Sequence, residues 1–349
     1  MINKYWPIYT GFHQNTSKQT NMERLFSASF ARIFLVALIT MTFSCKSGNR
    51  SALMLDLVRA EEMFMAGNTH QALELIDIII GENTSLAEPY LLKGNIYTAV
   101  GQHEKAGVVY SKLVKIDPDF VSAWFKLGNN AYRAKQYQKA IDYYRNELIG
   151  KNAHSLQAKD KQITMLQIGR CYMHLGKIDS ALISYNKCIT IDSLYSEAIG
   201  DLARLHTDNG DFTKALLFAK RAVALNENNI DYLYSLGTVY LKTNQYERAI
   251  TYLQAVSAQH PLYQGLHYNL GQAFIRSGDD IKGMKYLAKA DSVQTLYSRL
   301  ENLKLDVERN PNNPRKWLAL AEALEYAGMR PEADQARLAV HYTGALKNK

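Results

Sequence analysis

The chain is poor in the residues on which several classes of protein depend. Its 349 residues include 3 cysteines, 7 prolines and 3 tryptophans. Three cysteines cannot build a disulfide-rich scaffold, and so few prolines argue against a proline-rich linker protein. Scarce tryptophan weighs against a surface that stacks on sugars. The chain is nevertheless expected to fold, because 47% of its residues are hydrophobic and only 21% are charged.

Catalytic motifs are also missing from the sequence. It contains no G-x-x-x-x-G-K-[ST], G-x-G-x-x-G, H-E-x-x-H or G-x-S-x-G motif and no EF-hand loop. His174 and His206 are expected to lie near each other, but two histidines without a third ligand are weak evidence for a metal site. We therefore expect no enzyme, no cofactor and no metal. The net charge of +8 is spread without blocks of like charge, which argues against nucleic acid as a partner.

The N-terminal region has the features of an export signal. Arg24 and Arg32 precede an apolar run at residues 33–43, and Ser44 and Cys45 follow it. The run is too short to span a bilayer, which takes about 20 residues, but has the length of a signal-peptide core. The arrangement resembles a bacterial lipoprotein signal, in which a cysteine after a small residue receives the lipid. An uncleaved signal anchor with an incidental cysteine is the alternative.

This interpretation divides the N-terminal region into three segments. We predict that synthesis starts at Met22, which leaves residues 1–21 as a mis-assigned start without function. The signal peptide then covers residues 22–44, and residues 45–52 form a linker that begins at the lipidated Cys45. The protein is accordingly expected in the bacterial cell envelope, exported and anchored by lipid to a membrane, either facing the periplasm or in the outer membrane.

The rest of the chain repeats one unit. Small residues recur in two ladders with a spacing of 34 that is interrupted once, in both ladders, by a spacing of 41. The first ladder is Gly94, Gly128, Gly169, Ala203, Gly237 and Gly271, and the second is Ala72, Ala106, Ala140, Ala181, Ala215, Ala249 and Gly283. Apolar residues at helical spacing surround both ladders. Since two helices approach closely only where bulky side chains are absent, the ladders predict pairs of helices that cross at small residues.

This pattern resembles the tetratricopeptide repeat, whose signature is W-x2-L-G-x2-Y followed by alanine, an aromatic residue and proline over 34 residues. Trp124, Leu127, Gly128, Ala140 and Tyr144 match it closely. The resemblance covers residues 53–343 and implies an all-α fold, a right-handed α-solenoid of about eight helix-turn-helix units. The predicted units lie near residues 53–86, 87–120, 121–154, 162–195, 196–229, 230–263, 264–297 and 314–347.

Two insertions and one pair of cysteines depart from a regular array. Extra residues near 149–162 predict a longer loop or an extended helix end. Those near 291–313 either lengthen a helix or add one. Cys171 and Cys188 fall in one unit, where they either form a redox or disulfide pair or fill places for small residues, and the second interpretation is favoured.

The resemblance also implies that the first helices of the units line a concave groove. The groove stripe predicts ten binding residues, which we expect to be exposed: Phe125, Asn129, Tyr132, Arg133, Arg170, His174, Arg204, Tyr234, Tyr268 and Gln272. The middle of this groove would be basic and aromatic, with acidic ends at Glu61, Glu322 and Glu325. Such a groove favours a protein or peptide ligand with acidic residues or a free carboxylate. A chaperone-type carboxylate clamp is not predicted, because Gln167 and Glu197 occupy two of its places.

These features favour one function over two alternatives. The favoured function is a non-enzymatic adaptor, anchored to the membrane of the bacterial envelope, that binds a peptide or a partner protein in its groove. The first alternative is a structural subunit of an envelope assembly, pilus or secretion complex. The second is an accessory protein that binds glycan or peptidoglycan. The sequence does not determine the oligomeric state.

The predicted anchor can be tested at Cys45. We expect Cys45→Ser to abolish incorporation of radiolabelled palmitate, because serine has no thiol to form the thioether. Ser44→Ala, which keeps a small residue before the cysteine, should remain labelled. A wild-type protein that stays in washed membranes but incorporates no palmitate would instead indicate an uncleaved signal anchor.

Overall fold

The computed structural model describes residues 47–150, 153 and 156–347. In this part of the chain it contains sixteen α-helices and no strand, which confirms the predicted all-α solenoid. The helices are α1 (Ser47–Met65), α2 (Thr69–Glu82), α3 (Ala87–Ala99), α4 (His103–Ile116), α5 (Ala123–Arg133), α6 (Tyr137–Ile149), α7 (Ala158–His174), α8 (Ile178–Ile191), α9 (Ser196–Asp208), α10 (Phe212–Leu225), α11 (Ile230–Lys242), α12 (Tyr246–Gln259), α13 (Leu266–Arg276), α14 (Asp280–Arg309), α15 (Pro314–Tyr326) and α16 (Arg330–Lys347).

The predicted start at Met22, the signal peptide over residues 22–44 and the lipidated Cys45 lie outside the described residues. The predicted linker over residues 45–52 is corrected where the structure describes it, because residues 47–52 form the first turns of α1. None of the helices that the structure describes is both long and apolar enough to cross a membrane.

Consecutive helices form eight pairs, each joined by a short turn. The two helices of a pair pack against each other, and each pair packs against the next. Glycines with a positive φ end several first helices, among them Gly101 at +73° and Gly176 at +69°. This left-handed conformation is unfavourable for residues that carry a Cβ. Glycine at these turns therefore fixes the point at which the chain reverses.

The small-residue ladders lie where the two helices of a pair cross. Gly128 of α5 faces the ring of Tyr144 on α6, and a Cβ at Gly128 would lie 2.6 Å from that ring. Gly94 faces Tyr110 and Gly169 faces Tyr185 in the same way, and all three tyrosines are almost fully buried. The missing Cβ thus provides the space in which a large aromatic side chain enters the core of each pair.

Both insertions lengthen a helix in the residues that the structure describes. The extra residues near 291–313 lengthen α14 to 30 residues, a span of roughly 45 Å at 1.5 Å per residue. At the first insertion α7 reaches 17 residues, compared with 11 in α5 and 13 in α9, so it extends the beginning of that helix.

The last pair of helices returns to the first two pairs. His70 of α2 stacks on Tyr342 of α16, with ring centroids 5.1 Å apart. The side chain of Gln335 on α16 donates a hydrogen bond to the carbonyl of Thr98, at 3.0 Å. Because these residues are separated by most of the chain, the row of repeats curves until its end meets its beginning.

A second set of contacts reinforces this closure at the turn between α3 and α4. The carbonyl of Pro311 accepts hydrogen bonds from the side chains of both Gln102 and Trp317, each at 2.8 Å. Gly101 lies directly against the ring of Trp317, with no room for a Cβ. We refer to the contacts of α15 and α16 with residues 70–105 as the closing contact.

Cys171 and Cys188 are buried free thiols. Burial raises the pKa of each thiol to about 12, so both stay protonated at neutral pH. Cys188 donates a hydrogen bond to the carbonyl of Ser184 at 3.3 Å. The two residues therefore behave as small core side chains, and the structure gives no support to a disulfide or a redox pair.

The closing contact predicts different effects for two similar glycine substitutions. Gly101→Ala and Gly176→Ala both place a Cβ on a left-handed backbone, but only the first drives it into a neighbour, Trp317. We expect Gly101→Ala to lower the free energy of unfolding by about 1–3 kcal/mol more than Gly176→Ala, because overpacking adds to the common strain. Urea denaturation measures the difference, and equal losses would show that the closing contact contributes nothing to stability.

Candidate partner-binding groove

The first helices of the pairs form the concave face. They contact one another directly: α9 packs against α11, and α11 packs against α13. The residue that follows the small residue of the first ladder forms a column along this face. From the first pair to the last, the column reads Glu61, Asn95, Asn129, Arg170, Arg204, Thr238, Gln272 and Glu322. One register position thus presents a different polar group in each repeat.

The asparagines of this column are bound within their own pair. The hydroxyl of Tyr144 donates to the side-chain oxygen of Asn129 at 2.7 Å, and Tyr110 donates to Asn95 at 2.9 Å. Phe125, which was also predicted to line the groove, packs against Tyr144 with ring centroids 5.6 Å apart. In α3 and α5 the column therefore serves mainly to hold the two helices of a pair together.

Arginine replaces asparagine in α7 and links neighbouring pairs. The Nε of Arg170 lies 2.7 Å from one carboxylate oxygen of Asp201 on α9, and Arg204 lies 3.1 Å from the other. Arg170 and Asp201 are each 5% exposed. Burial opposes ionisation of Arg170, but the carboxylate of Asp201 outweighs it and raises the pKa of Arg170 above its ordinary value.

This arrangement corrects the expectation that Arg170 is exposed. Helical spacing places Arg170 on the groove stripe, which is where the structure has it. The spacing within one helix does not reveal that Asp201, on the next first helix, lies within reach and covers the guanidinium. The side chain of Arg204 does remain largely exposed, at 57%.

Tyr132 and His174 form a second contact between α5 and α7. Their side chains meet at 2.9 Å, from the Tyr132 hydroxyl to His174 Nε2, and the His174 ring stacks on Tyr137 at 4.4 Å. Burial, followed by the charge of Arg204, lowers the pKa of His174, so its imidazole is neutral at pH 7. His206 instead stacks on Phe218, so the two histidines do not share a metal site. In the described residues no three His, Cys, Asp or Glu side chains could hold a metal ion.

A cavity of about 870 Å³ occupies the concave face of the middle repeats. Five of the ten predicted binding residues line it, namely Tyr132, Arg170, His174, Arg204 and Tyr234. The other five, Phe125, Asn129, Arg133, Tyr268 and Gln272, lie outside its lining. Tyr268 is 55% exposed, on the concave side of a later repeat.

The end of the chain completes the cavity. Tyr297 of the lengthened α14, together with Met329 and Glu332 at the start of α16, faces the middle repeats across it. The repeat pattern did not predict these residues as part of the site, nor did it predict Asp201, Asp231 and Tyr263. The superhelical curvature and the extended α14 bring them to the groove, and neither is visible in the pattern of a single repeat.

We call the part of the cavity formed by Asp231, Tyr234, Tyr263, Tyr297 and Glu332 the C-terminal wall. The Tyr263 hydroxyl donates to Asp231 at 2.6 Å, and the rings of Tyr234 and Tyr263 lie 4.7 Å apart. Burial, and then the negative charge of Glu332, raises the pKa of Tyr297. The wall thus combines carboxylates with protonated phenols.

The charges in the cavity overturn the expected basic character of the groove. The lining contains two arginines, both paired with Asp201, and three further carboxylates, those of Asp208, Asp231 and Glu332. The predicted acidic ends also differ. Glu61 is 1% exposed, and burial with the neighbouring Glu62 raises its pKa to about 7. At the other end Glu322 and Glu325 are both exposed as expected, although Glu325 is paired with Arg337.

Comparisons with known proteins agree with this architecture. Family models for the tetratricopeptide repeat match residues 94–134, 164–193 and 206–267. Lipopolysaccharide assembly protein B of Escherichia coli K12 is 21% identical over 244 residues, which cover 65% of this chain and 61% of that protein. Human anaphase-promoting complex subunit 7 is 23% identical over 210 residues, covering 58% and 35%. The chain thus spans about three fifths of the length of the first of these relatives.

Solved structures show the same fold. PilW, described as a widely conserved type IV pilus biogenesis factor, has a TM-score of 0.53 at 18% identity, over 62% of this chain and 96% of its own. The Cut9–Hcn1 hetero-tetramer of the anaphase-promoting complex has a TM-score of 0.54 at 16% identity, over 78% and 52%. The chain therefore has the fold of an all-α solenoid. More particularly, three of its segments match tetratricopeptide-repeat models, and its fold is the kind of solenoid that such repeats build.

The ion pair across α7 and α9 makes a prediction about stability. Asp201→Asn leaves Arg170 buried without its counter-charge, and we expect this change to lower the free energy of unfolding by about 3–5 kcal/mol. The control is Glu301→Gln, which breaks the exposed pair with Lys135 at 3.4 Å and should cost less than about 1 kcal/mol. Chemical denaturation of the two variants measures both losses. Similar small losses would show that Arg170 reaches water once Asp201 is neutral.

Proposed function

We propose that this protein is a non-enzymatic scaffold that holds a segment of a partner protein in its concave cavity. The observation that carries the proposal is the cavity of about 870 Å³, lined by four successive first helices and closed by the last pair. This volume is in the range of sites that enclose ligands, about 300–1,000 Å³. It accommodates several side chains of an extended segment but not a folded domain.

We further propose that the scaffold acts at a membrane of the bacterial envelope, attached through lipid on Cys45. The support is the order of basic residues, apolar run, small residue and cysteine in the sequence. Two of the similar proteins carry names from envelope biology, one for lipopolysaccharide assembly and one for pilus biogenesis. Helix α1 begins at Ser47, two residues after Cys45, so a lipid on Cys45 would hold the first repeat close to the lipid surface.

A structural subunit of an envelope assembly is the second candidate, and one observation favours it. Val108, Ile183 and Leu217 each lie two residues after an alanine of the second ladder, and they are 59%, 57% and 64% exposed. Their shared register places apolar side chains on the outer faces of α4, α8 and α10. Repeated apolar exposure of this kind suits packing against another protein.

A role in glycan binding has less support. Trp124 and Trp317 are both engaged with the chain itself, because each indole donates a hydrogen bond to the carbonyl of a nearby proline, Pro118 or Pro311. Trp317 is also 7% exposed. Trp124 stacks on Tyr143, with ring centroids 6.0 Å apart, so one of these two rings is buried and the other is engaged on one face.

Site-specific photocrosslinking in the native cell distinguishes the two candidate functions. We expect p-benzoylphenylalanine in place of Tyr234, in the cavity, to crosslink to a distinct protein, and the same residue in place of Ile183, on the outer face, to give no such product. Circular dichroism of both variants checks that they fold. Crosslinks from position 183 but not from position 234 would contradict the groove proposal and support the structural subunit.

A further inference from the structure

We propose that the C-terminal wall of the cavity recognises a basic side chain, arginine or lysine, in the segment that the scaffold holds. This inference rests on the proposed function, since it names the chemistry of the ligand at the same site. It reverses the acidic ligand expected from the groove stripe alone.

The first argument is the balance of charge within the cavity. Both arginines of the lining are bound to Asp201, and they lie on α7 and α9, whereas the residues of the C-terminal wall belong to α11, α14, α16 and the turn before α13. Asp231 and Glu332 belong to that wall, and Asp208 lies on α9. The other basic residues of the concave helices, including Arg133, Lys242 and Arg276, do not line the cavity. An anionic side chain at the wall would therefore face like charges.

The second argument is the state of Glu332. It is half-buried in the first turn of α16, and no cation that the structure describes lies within the 4.0 Å of an ion pair. Its negative charge instead acts on the hydroxyl of Tyr297 and disfavours ionisation of that phenol. A half-buried carboxylate is partly shielded from water, so a cation from a ligand gains more there than at an open surface.

The third argument is the aromatic content of the wall. Tyr234, Tyr263 and Tyr297 line the cavity together, and burial raises the pKa of all three, so they remain neutral phenols. The face of a tyrosine ring attracts lysine and especially arginine by a cation–π interaction. Rings beside carboxylates thus provide both the charge and the flat surface that a guanidinium or ammonium group prefers.

A peptide selection tests the inference without a known partner. Full-length protein purified in detergent would be panned against a random dodecapeptide phage library, and enriched peptides would be synthesised with a fluorescent label. We expect a consensus that contains arginine or lysine. We also expect its affinity to fall as the salt concentration rises from 50 to 500 mM, because a charge pair is screened.

Matched variants locate the basic side chain. Glu332→Gln should weaken binding of a selected peptide at least about tenfold, the loss typical of a charged hydrogen bond. Asp334→Asn makes the same change in net charge on the same helix, but Asp334 is exposed and paired with Arg337, so binding should be unchanged. Glu332→Lys should prefer a version of the peptide in which the basic residue is replaced by glutamate.

The outcomes distinguish the inference of a basic ligand from the scaffold function on which it rests. The selected peptides could bind in the cavity of the wild type but have a neutral or acidic consensus, with an affinity that Glu332→Gln does not change. This result would overturn the basic-ligand inference and leave the scaffold function standing. If the selection enriches no peptide whose binding is weakened by substitution of Tyr234, both the inference and the groove proposal fail. A basic consensus with the expected loss in Glu332→Gln supports both.

Discussion

Everything on the concave face depends on how closely the two helices of a pair approach each other. Where Gly94, Gly128 or Gly169 lies at the crossing, a tyrosine of the second helix fills the space that a Cβ would occupy. The residue after the glycine is thereby fixed on the inner face, next to the tyrosine hydroxyl. A repeat of 34 residues then needs to vary only that one position to alternate between holding its own pair together and reaching the next pair.

The variation at this position divides the solenoid into regions with different tasks. Asn95 and Asn129 accept hydrogen bonds from their own pair, so the early repeats are bound internally. Arg170 has no such bond to Tyr185, whose hydroxyl has no hydrogen-bond partner among the described residues, and pairs with Asp201 of the next repeat instead. The transition from internal to cross-repeat bonding coincides with the beginning of the cavity. Polar side chains that bond from one repeat to the next form part of its walls.

The sequence predicted what a single repeat contains and failed where distant repeats meet. The ladders and the resemblance predicted the helix pairs, the close crossings and the stripe that carries Tyr132, His174 and Arg204, because these depend on contacts within one repeat or between neighbours. Tyr297 and Glu332 were missed because they reach the cavity only through the curvature of the whole array and the length of α14. The charge of the groove was misjudged for a related reason, since the pairing of Arg170 depends on a side chain of another helix.

The closing contact imposes a topological condition on binding. With α16 against α2 and α3, the first and last repeats touch, and the concave face curves around the axis of the array. A free chain terminus can pass along that axis without disturbing the repeats. A segment between two folded domains has to enter sideways, and this requires Tyr342, Gln335 and Trp317 to separate from the first two pairs. The rate at which such a partner is captured or released would then be governed by the opening of the ring, and its affinity by the cavity.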